Sequence, residues 1–148
     1  MHVSELIEKR GCALYSIGPD RTVAELIEGL NERHVGALVV VGPNNELLGL
    51  VSERAILREA YDPSRKFVDC AKRVRDVMRA REDIPSVTMA TRLNEVLELM
   101  SSARTRHIVV VDEQDRALTC VSVRDIIERM LEDAETENRE LQNFMYGH

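Results

Sequence analysis

The 148-residue chain has no tryptophan, and aromatic residues make up only 3% of it. A buried core must therefore be built from aliphatic side chains, and a hydrophobic content of 44% is sufficient for a packed globule. The three cysteines, Cys12, Cys70 and Cys120, are widely spaced and odd in number. This pattern argues against a disulfide framework, and without paired ligands it predicts no metal site.

Positively charged residues are outnumbered by acidic ones, 20 to 26, and long apolar runs are absent. The net charge of −6 argues against a nucleic-acid surface, which needs a basic patch, and against an anionic membrane face. No apolar run approaches the ~20 residues that a membrane helix needs. Residues 1–5 do not resemble the start of a secretion signal. We expect a cytoplasmic protein that binds neither nucleic acid nor membrane.

What the chain does contain is one unit written twice. A shift of 70 positions overlays residues 15–60 on the second half without a gap. The matched pairs include Ser16 with Ser86, Val39–Val41 with Val109–Val111, Ser52 with Ser122, and Arg54 with Arg124. With a one-residue adjustment, residues 3–7 also match residues 74–78. The repeat predicts two copies of the same fold.

Each unit has the hydrophobic pattern of strand, helix, strand, strand and helix. Residues 23–33 and 93–103 have helical periodicity, and the runs ending at Val41 and Val111 are typical of strands buried on both faces. The fold class predicted is α+β (α/β type). We expect a first repeat over residues 1–62 with an N-terminal helix, a linker over 63–80, a second repeat over 81–132 and a helical tail over 133–148.

The linker is basic and is predicted to be helical from Lys66 to about Ala80. Its charges fit either a solvated helix face or an acidic partner. The tail is predicted to extend the last helix, and its apolar residues, Leu141, Phe144, Met145 and Tyr146, could dock on the body or on a second subunit. The sequence leaves both alternatives open.

The turn from Thr119 to Asp125 joins a buried strand to a helix. Ser122 is a predicted N-cap, and Asp125, three residues later, has the spacing of a capping box. A hydroxyl and free N–H groups at a helix start also suit a phosphate, and a carboxylate can accept hydrogen bonds from the hydroxyls of a ribose. The turn therefore fits a capped helix or a ligand site, and its counterpart at Ser52 makes the second reading stronger.

At these residues the chain resembles a known family. The run from Val35 to Val41 followed by Gly49–Arg54, and the run from Arg106 to Asp112 followed by Ser122–Asp125, look like two cystathionine β-synthase (CBS) domains. The pair resembles a Bateman module, and in particular the small stand-alone bacterial CBS-pair proteins. The resemblance implies two repeats packed sheet against sheet about a pseudo-two-fold axis, with two clefts between them and with pairing into homodimers.

The resemblance also implies roles for individual residues. In the cleft of the second unit, Asp125 matches the ribose-binding aspartate of the family, and Ser122, Arg124 and Cys120 match positions near the phosphate, sugar and base. The wall for the base would come from Tyr15, Val35, Gly36 and Ala37 of the first unit. Arg106 and His107 match a basic pair near the phosphates, although His107 could equally fill a strand edge. Thr119 stands where the family usually has glycine.

The cleft of the first unit departs further from the family pattern. Ser52 and Arg54 match, and Thr105 would contribute to the wall for the base. The position of the ribose-binding aspartate is occupied by Ala55, however, and Arg106 stands where the other cleft has Gly36. Losing one charge-assisted hydrogen bond weakens binding about ten- to a hundredfold. We therefore expect one competent cleft at Asp125 and one weak or empty cleft at Ala55.

The resemblance implies a non-catalytic regulatory module whose ligand contains adenosine. AMP, ADP, ATP and NAD fit the arginines better than S-adenosylmethionine does, and the regulated protein is not indicated. The alternative is an adaptor for dimerisation or protein docking with vestigial clefts. No catalytic constellation is found, because Glu25 and Glu28 fit a solvated helix face and Cys12 and Cys120 fit the core better than redox chemistry.

Overall fold

The computed structural model describes residues 1–146, and it confirms an α+β fold with two repeats. The first part of the chain contains a leading helix, a strand–helix–strand–strand unit and a helical segment. These elements are α1 (Val3–Arg10), β1 (Ser16–Ile17), α2 (Val23–Arg33), β2 (Ala37–Val41), β3 (Leu47–Ser52) and α3 (Glu53–Ala55). A π-helical turn, Ile56–Ala60, continues α3, so the predicted helix after Ser52 is confirmed.

The second part of the chain repeats this order after a connection of short strands. Its elements are β4 (Tyr61–Asp62), β5 (Phe67–Val68), α4 (Val74–Val77), β6 (Arg79–Ala80), β7 (Ser86–Val87), α5 (Leu93–Ala103), β8 (His107–Val111), β9 (Ala117–Ser122) and α6 (Val123–Tyr146). The helix predicted for the tail is confirmed up to Tyr146, and residues 147 and 148 lie outside the described part of the chain.

The two sheets share a hydrogen-bond register at the predicted 70-residue offset. In the first sheet Ala37 pairs with Ser52, and in the second His107 pairs with Ser122. The β2–β3 and β8–β9 pairs each have one irregularity, at Val40/Val41 and at Val110/Val111. Both sheets are mixed, because β1 and β7 add in parallel while the other pairs are antiparallel. The sequence repeat is therefore reproduced in the backbone.

A shared aliphatic core joins the two sheets face to face. Val39 and Val109 are fully buried in it, together with Leu47, Leu50, Val111 and Ala117. At the edge of this core the backbones of the two repeats are hydrogen-bonded, because the Leu47 N–H donates to the Asp115 carbonyl at 3.2 Å. Branched aliphatic side chains interdigitate well on pleated sheets, which is why the interface needs no aromatic residue.

The two short leading helices are exchanged between the repeats. Val3, Leu6 and Ile7 of α1 pack into the core of the second repeat, whereas Val74 and Val77 of α4 pack into that of the first. Backbone hydrogen bonds show the same exchange. The N–H groups of residues 3 and 4 donate to carbonyls of the second repeat, at residues 91 and 89. The N–H groups of residues 74 and 75 donate to carbonyls of the first repeat, at residues 21 and 19. The expected division at residues 62 and 81 stays a prediction for the chain, but in space α1 lies with the second repeat.

The helix predicted over 66–80 is wrong for most of its length. Only Val74–Val77 is helical, between the short strands β5 and β6. Asp62 explains the start of the departure, because its carboxylate accepts hydrogen bonds from the N–H groups of Ser64 and Arg65 and turns the chain into the β4–β5 hairpin. Carbonyls at residues 70 and 72 then bind the first N–H groups of α2. Local helix propensity is overridden by these tertiary hydrogen bonds.

The basic side chains of this connection do not form one helix face. Arg75 forms an ion pair with Asp20, Arg73 donates to the Asp20 carbonyl at 3.0 Å, and Lys72 donates to the Glu59 carbonyl at 2.7 Å. They therefore tie neighbouring loops together. Among residues 1–146, no helix combines the length and the apolarity that crossing a lipid bilayer requires.

Substitution of Gly49 by alanine tests how closely β6 packs against β3. A Cβ at Gly49 would overlap the carbonyl oxygen of Arg79, so we expect a loss of about 1–3 kcal/mol in the free energy of unfolding. In a thermal melt this corresponds to several degrees. Gly18→Ala is the control, because the nearest atom to its added Cβ is Arg21 Cγ at 3.9 Å. Equal melting temperatures for the two variants would contradict the close packing.

Candidate ligand clefts between the two repeats

The capping box predicted at the second strand-to-helix turn is confirmed. The Asp125 N–H donates to Ser122 Oγ at 3.1 Å, and the Ser122 N–H donates to Asp125 Oδ2 at 2.9 Å. These reciprocal bonds satisfy two N–H groups at the start of α6. They also fix the Asp125 carboxylate, which is 24% exposed, at the mouth of the turn.

The Asp125 carboxylate is already engaged by Arg10. Arg10 Nη1 donates to Asp125 Oδ2 at 2.7 Å and to the Cys120 carbonyl at 2.9 Å, and Nη2 donates to Thr119 Oγ1 at 2.8 Å. Arg10 is the last residue of α1, and Gly11 ends that helix with φ at 98°. The guanidinium therefore occupies the acceptor groups that the sequence assigned to a ligand.

Thr119 takes part in the same arrangement. It is fully buried, and its hydroxyl donates to the Ala13 carbonyl at 2.8 Å while accepting from Arg10. The equivalent residue in the first repeat is Gly49, where β6 approaches too closely for any side chain. The departure at Thr119 noted in the sequence thus holds the segment after α1 and the Arg10 guanidinium against β9.

An open cleft lies at the other strand-to-helix turn. Its volume is about 330 Å³, and both repeats contribute to it. The first repeat contributes the Ser52 turn and the second contributes the segment from Ala103 to His107. The lining residues are Gly36, Leu50, Ser52, Glu53, Arg54, Ala55, Arg58, Arg79, Ala103, Arg104, Thr105, Arg106 and His107. Because both repeats line the cleft, the affinity of a ligand bound there would depend on the relative position of the two repeats.

The structure regroups the residues predicted for the two clefts. Gly36, Arg106 and His107, expected around Asp125, line the open cleft together with Ser52, Arg54 and Thr105. A Cβ at Gly36 would lie 3.6 Å from both Glu53 Oε1 and His107 Cε1, so this glycine keeps the wall open. The Ser52 hydroxyl accepts from the Ala55 N–H at 3.4 Å, which repeats the cap without the carboxylate.

The other predicted residues lie outside this cleft. Tyr15 lines a separate groove on the first repeat, where its ring is 5.1 Å from the Arg33 guanidinium carbon. Arg124 is 86% exposed and paired with Glu128. Val35 and Ala37 pack against the aliphatic core. Burial raises the pKa of Cys120 to about 12, so that its thiol stays protonated at neutral pH.

Five charged residues around these clefts were missed by the sequence analysis. They are Arg10, Glu53, Arg58, Arg79 and Arg104. Arg58 follows Arg54 by one helical turn, and Arg104 precedes the predicted Thr105, so spacing could have indicated both. Arg10 reaches Asp125 across 115 positions of sequence, and no local pattern indicates that contact.

His107 lies where the electrostatics of the two clefts meet. Its pKa is lowered chiefly because burial penalises the imidazolium form, and the charge of Arg106 acts in the same direction. The carboxylates of Asp125 and Glu53 oppose the shift without cancelling it. The ring is therefore neutral at pH 7, and an anion bound beside it would favour its protonation.

Comparison with known proteins identifies the family. The sequence model of the CBS domain matches the chain twice, over residues 3–62 and 74–132. The chain belongs to the CBS-domain family. As a tandem CBS pair it is 28% identical over 130 residues to the CBS domain-containing protein CBSX3, mitochondrial, of Arabidopsis thaliana. That match covers 86% of the chain and 62% of the plant protein, so the chain spans less than two thirds of that relative.

The same CBS pair occurs within enzymes. Inosine-5'-monophosphate dehydrogenase of Methanocaldococcus jannaschii is 29% identical over 114 residues, which is 77% of the chain and 21% of the enzyme. Among solved structures, the CBS-domain protein ATU1752 from Agrobacterium tumefaciens has a TM-score of 0.78 at 22% identity, covering 88% of this chain and 99% of that one. At this identity the likeness shows the fold.

Two further structures of this fold contain ligands. CBSX2 in complex with AMP has a TM-score of 0.73 at 21% identity, covering 90% of this chain and 98% of that one. The CBS domain pair of MJ0100 in complex with 5'-methylthioadenosine and S-adenosyl-L-methionine has a TM-score of 0.72 at 16% identity, with coverage of 90% and 98%.

Replacement of Arg10 by methionine tests the contact with Asp125. Four hydrogen bonds from a guanidinium are lost, three of them to Asp125, Cys120 and Thr119, so we expect the free energy of unfolding to fall by about 1.5–3 kcal/mol. Lys9→Met is the neighbouring control. Lys9 pairs with Glu132 at 2.5 Å on the exposed surface, where such pairs contribute at most about 1 kcal/mol. Equal losses in urea unfolding would show that Arg10 is only a surface contact.

The lowered pKa of His107 predicts a pH dependence of stability. Because the folded-state pKa lies below the unfolded value of about 6.5, the stabilisation is complete above that value and is lost as pH falls through it. We expect His107→Gln to flatten the fall in unfolding free energy between about pH 7 and 5. An NMR titration of the His107 ring gives the pKa directly, and a value above 6.5 would contradict the burial argument.

Proposed function

We propose that the chain is a non-catalytic regulatory module that binds an adenosine-containing ligand between its two CBS repeats. The observation that carries the proposal is the open cleft, because residues of both repeats line it at the Ser52 turn and at Thr105–His107. AMP in CBSX2 supports this ligand class. AMP, ADP, ATP and NAD are the candidates, and S-adenosylmethionine suits the arginines less well because it carries no phosphate.

The regulatory step would be a population shift. A ligand that contacts the Ser52 turn and the Arg106 segment together stabilises one relative position of the repeats over another. Only this differential affinity can drive a change, and effector coupling of this kind is typically about 1–3 kcal/mol. We propose that a homodimer in the cytoplasm transmits the change to a regulated protein.

Arg10 bears on which cleft fills first. The sequence predicts a sugar site at Asp125 with Ser122, Arg124 and Cys120, and this stays a proposal. A ligand there has to replace the bonds that Arg10 makes to Asp125 and Thr119. The cleft at Ser52 needs no such replacement, so we propose that it binds ligand first. This order is the reverse of the one expected from Ala55 alone.

The non-catalytic assignment rests on how the family is used. The CBS pair matches about a fifth of the inosine-5'-monophosphate dehydrogenase, so most of that enzyme has no counterpart in this chain. Among residues 1–146, no cluster of three potential metal ligands is present, and the buried Cys120 thiol is held protonated. The arginines of the cleft are donors to anions, which is a binding chemistry.

The adaptor function remains the second candidate because of α6. Apolar side chains along this helix are exposed, which suits contact with another protein. They are Ile127, Met130, Leu131, Leu141, Phe144, Met145 and Tyr146. In this alternative the clefts are vestigial and α6 is the working surface.

A thermal-shift screen with AMP, ADP, ATP, NAD and S-adenosylmethionine tests the proposal. A ligand at 100 times its dissociation constant stabilises a fold by about 2.7 kcal/mol, which is a shift of several degrees. Each variant is compared with its own ligand-free melt. We expect Arg54→Glu to abolish the shift, because it puts a negative charge in the open cleft, and Asp125→Ala to leave most of it.

The variants separate the remaining outcomes. Loss of the shift in Asp125→Ala alone would move the ligand to the Asp125 cleft. Arg139→Glu on α6 is the matched charge change away from the cleft, and it should melt with the same ligand shift as the unmodified chain. No shift with any of the five ligands would favour the adaptor function.

A further inference from the structure

The open cleft gathers arginines that have no carboxylate partner within the part of the chain that the structure describes. Five arginines and His107 line it, but only one carboxylate, that of Glu53, does so. Within residues 1–146 the side chains of Arg54, Arg58, Arg104 and Arg106 make no ion pair or hydrogen bond, and Arg79 donates only to the Asp83 carbonyl at 2.9 Å. Outside the cleft most arginines are paired, as in Arg21–Glu25, Arg75–Asp20, Arg81–Asp115, Arg116–Asp112 and Arg129–Asp133, and the ones unpaired among the described residues, Arg33, Arg92 and Arg139, are scattered along the sequence. A chain of net charge −6 therefore concentrates unpaired positive charge in one cleft.

The fold does not require three of these five arginines, Arg58, Arg104 and Arg106. At the 70-residue offset, Arg58 corresponds to Glu128 and Arg104 corresponds to His34. The backbone is alike at the second pair, since His34 and Arg104 end their helices in the left-handed region with φ of 55° and 52°. Arg106 likewise corresponds to Gly36. These three positions thus carry glutamate, histidine and glycine in the other repeat, whereas Arg54 has an arginine counterpart in Arg124, so most of the positive charge is particular to this cleft.

The cleft also lacks the carboxylate that would hold sugar hydroxyls. The turn keeps its serine cap, because Ser52 Oγ accepts from the Ala55 N–H, but Ala55 stands where the second repeat has Asp125. Ala55 is 2% exposed and offers no polar group. Anionic oxygens therefore find many donors here, whereas hydroxyl groups find few acceptors.

We infer that the ligand of this cleft is a compact polyanion with at least two linked phosphates, bound mainly through those phosphates. The inference rests on the proposed function, and it narrows the adenosine class to di- and triphosphates. A guanidinium presents donors in a fixed fork that matches phosphate oxygens, and several forks around one cleft favour several linked phosphates over one. A volume of about 330 Å³ admits a ligand of this kind.

Calorimetric titration with adenosine, AMP, ATP and inorganic tripolyphosphate, without divalent cations, tests the inference. Affinity should rise from adenosine through AMP to ATP, and tripolyphosphate should bind within about tenfold of ATP and compete with it. Binding should weaken as salt is raised, because exposed charges are screened. A flat series from AMP to ATP would contradict the inference.

Three substitutions in the cleft are expected to change ligand affinity, two of them lowering it and one raising it. Arg58→Gln and Arg104→Gln should each weaken ATP and tripolyphosphate about five- to tenfold, which is the scale of one lost charge-assisted contact. Glu53→Gln removes the one lining carboxylate and should tighten both ligands. Arg139→Gln makes the same change of charge on exposed α6 and should leave both affinities unchanged. Equal weakening by Arg139→Gln would mean unspecific attraction and would overturn the inference.

The outcomes for the two proposals are distinguishable. If AMP and ATP bind equally and tripolyphosphate does not bind, the ligand is held by its nucleoside, so the inference fails and the proposed function stands. If none of the four compounds binds, and ADP, NAD and S-adenosylmethionine give no thermal shift, both fail. If tripolyphosphate binds and adenosine-containing ligands do not, the polyanion site stands and the adenosine assignment fails.

Discussion

The aliphatic contact between the two sheets is the constraint on which the other features depend. Val39 and Val109 meet in a fully buried layer, and the Leu47 N–H to Asp115 carbonyl bond closes its edge. Burial of this layer fixes where β3 and β9 end, and each strand runs directly into a helical turn. The Ser52 turn is thereby held opposite Thr105–His107. A close-packed interior is bistable more readily than it is continuously deformable, which suits a module that reports occupancy as a change of relative position.

Symmetry of the backbone and asymmetry of the chemistry come from a few positions. Gly49 lets β6 approach β3, while the equivalent Thr119 uses its hydroxyl to hold Ala13 and Arg10. The Asp125 carboxylate forms an ion pair with the Arg10 guanidinium. The cleft at Ala55 is instead lined by five arginines and one carboxylate, that of Glu53. In the Asp125 cleft, Arg10 thus already occupies the hydrogen-bond acceptors. The other cleft has a charge imbalance that an external anion would correct.

The sequence predicted the parts of the fold that follow from local patterns and occur in both repeats. The strands around Val39 and Val109 and the capping box at Ser122 follow from local spacing, the repeat follows from the 70-residue offset, and the structure confirms all three. The basic run after Lys66 failed because tertiary hydrogen bonds to α2 override its helical pattern. Arg10 could not be foreseen, since its partner lies 115 residues away and nothing in the repeat relates them. The sequence likewise did not predict that Gly36 lines the open cleft beside Ser52, because that grouping depends on how the two repeats pack.

The exchange of α1 and α4 has a consequence for the ancestry of the unit. Each leading helix completes the core of the other repeat, so a single unit cut from this chain would lack one wall of its own core. An ancestor with one unit could have filled that wall only by swapping helices with a second molecule. Duplication and fusion would then have turned a swapped pair of identical chains into one polypeptide. Once both copies were joined, each cleft could mutate independently, a freedom that no symmetric pair of identical chains possesses.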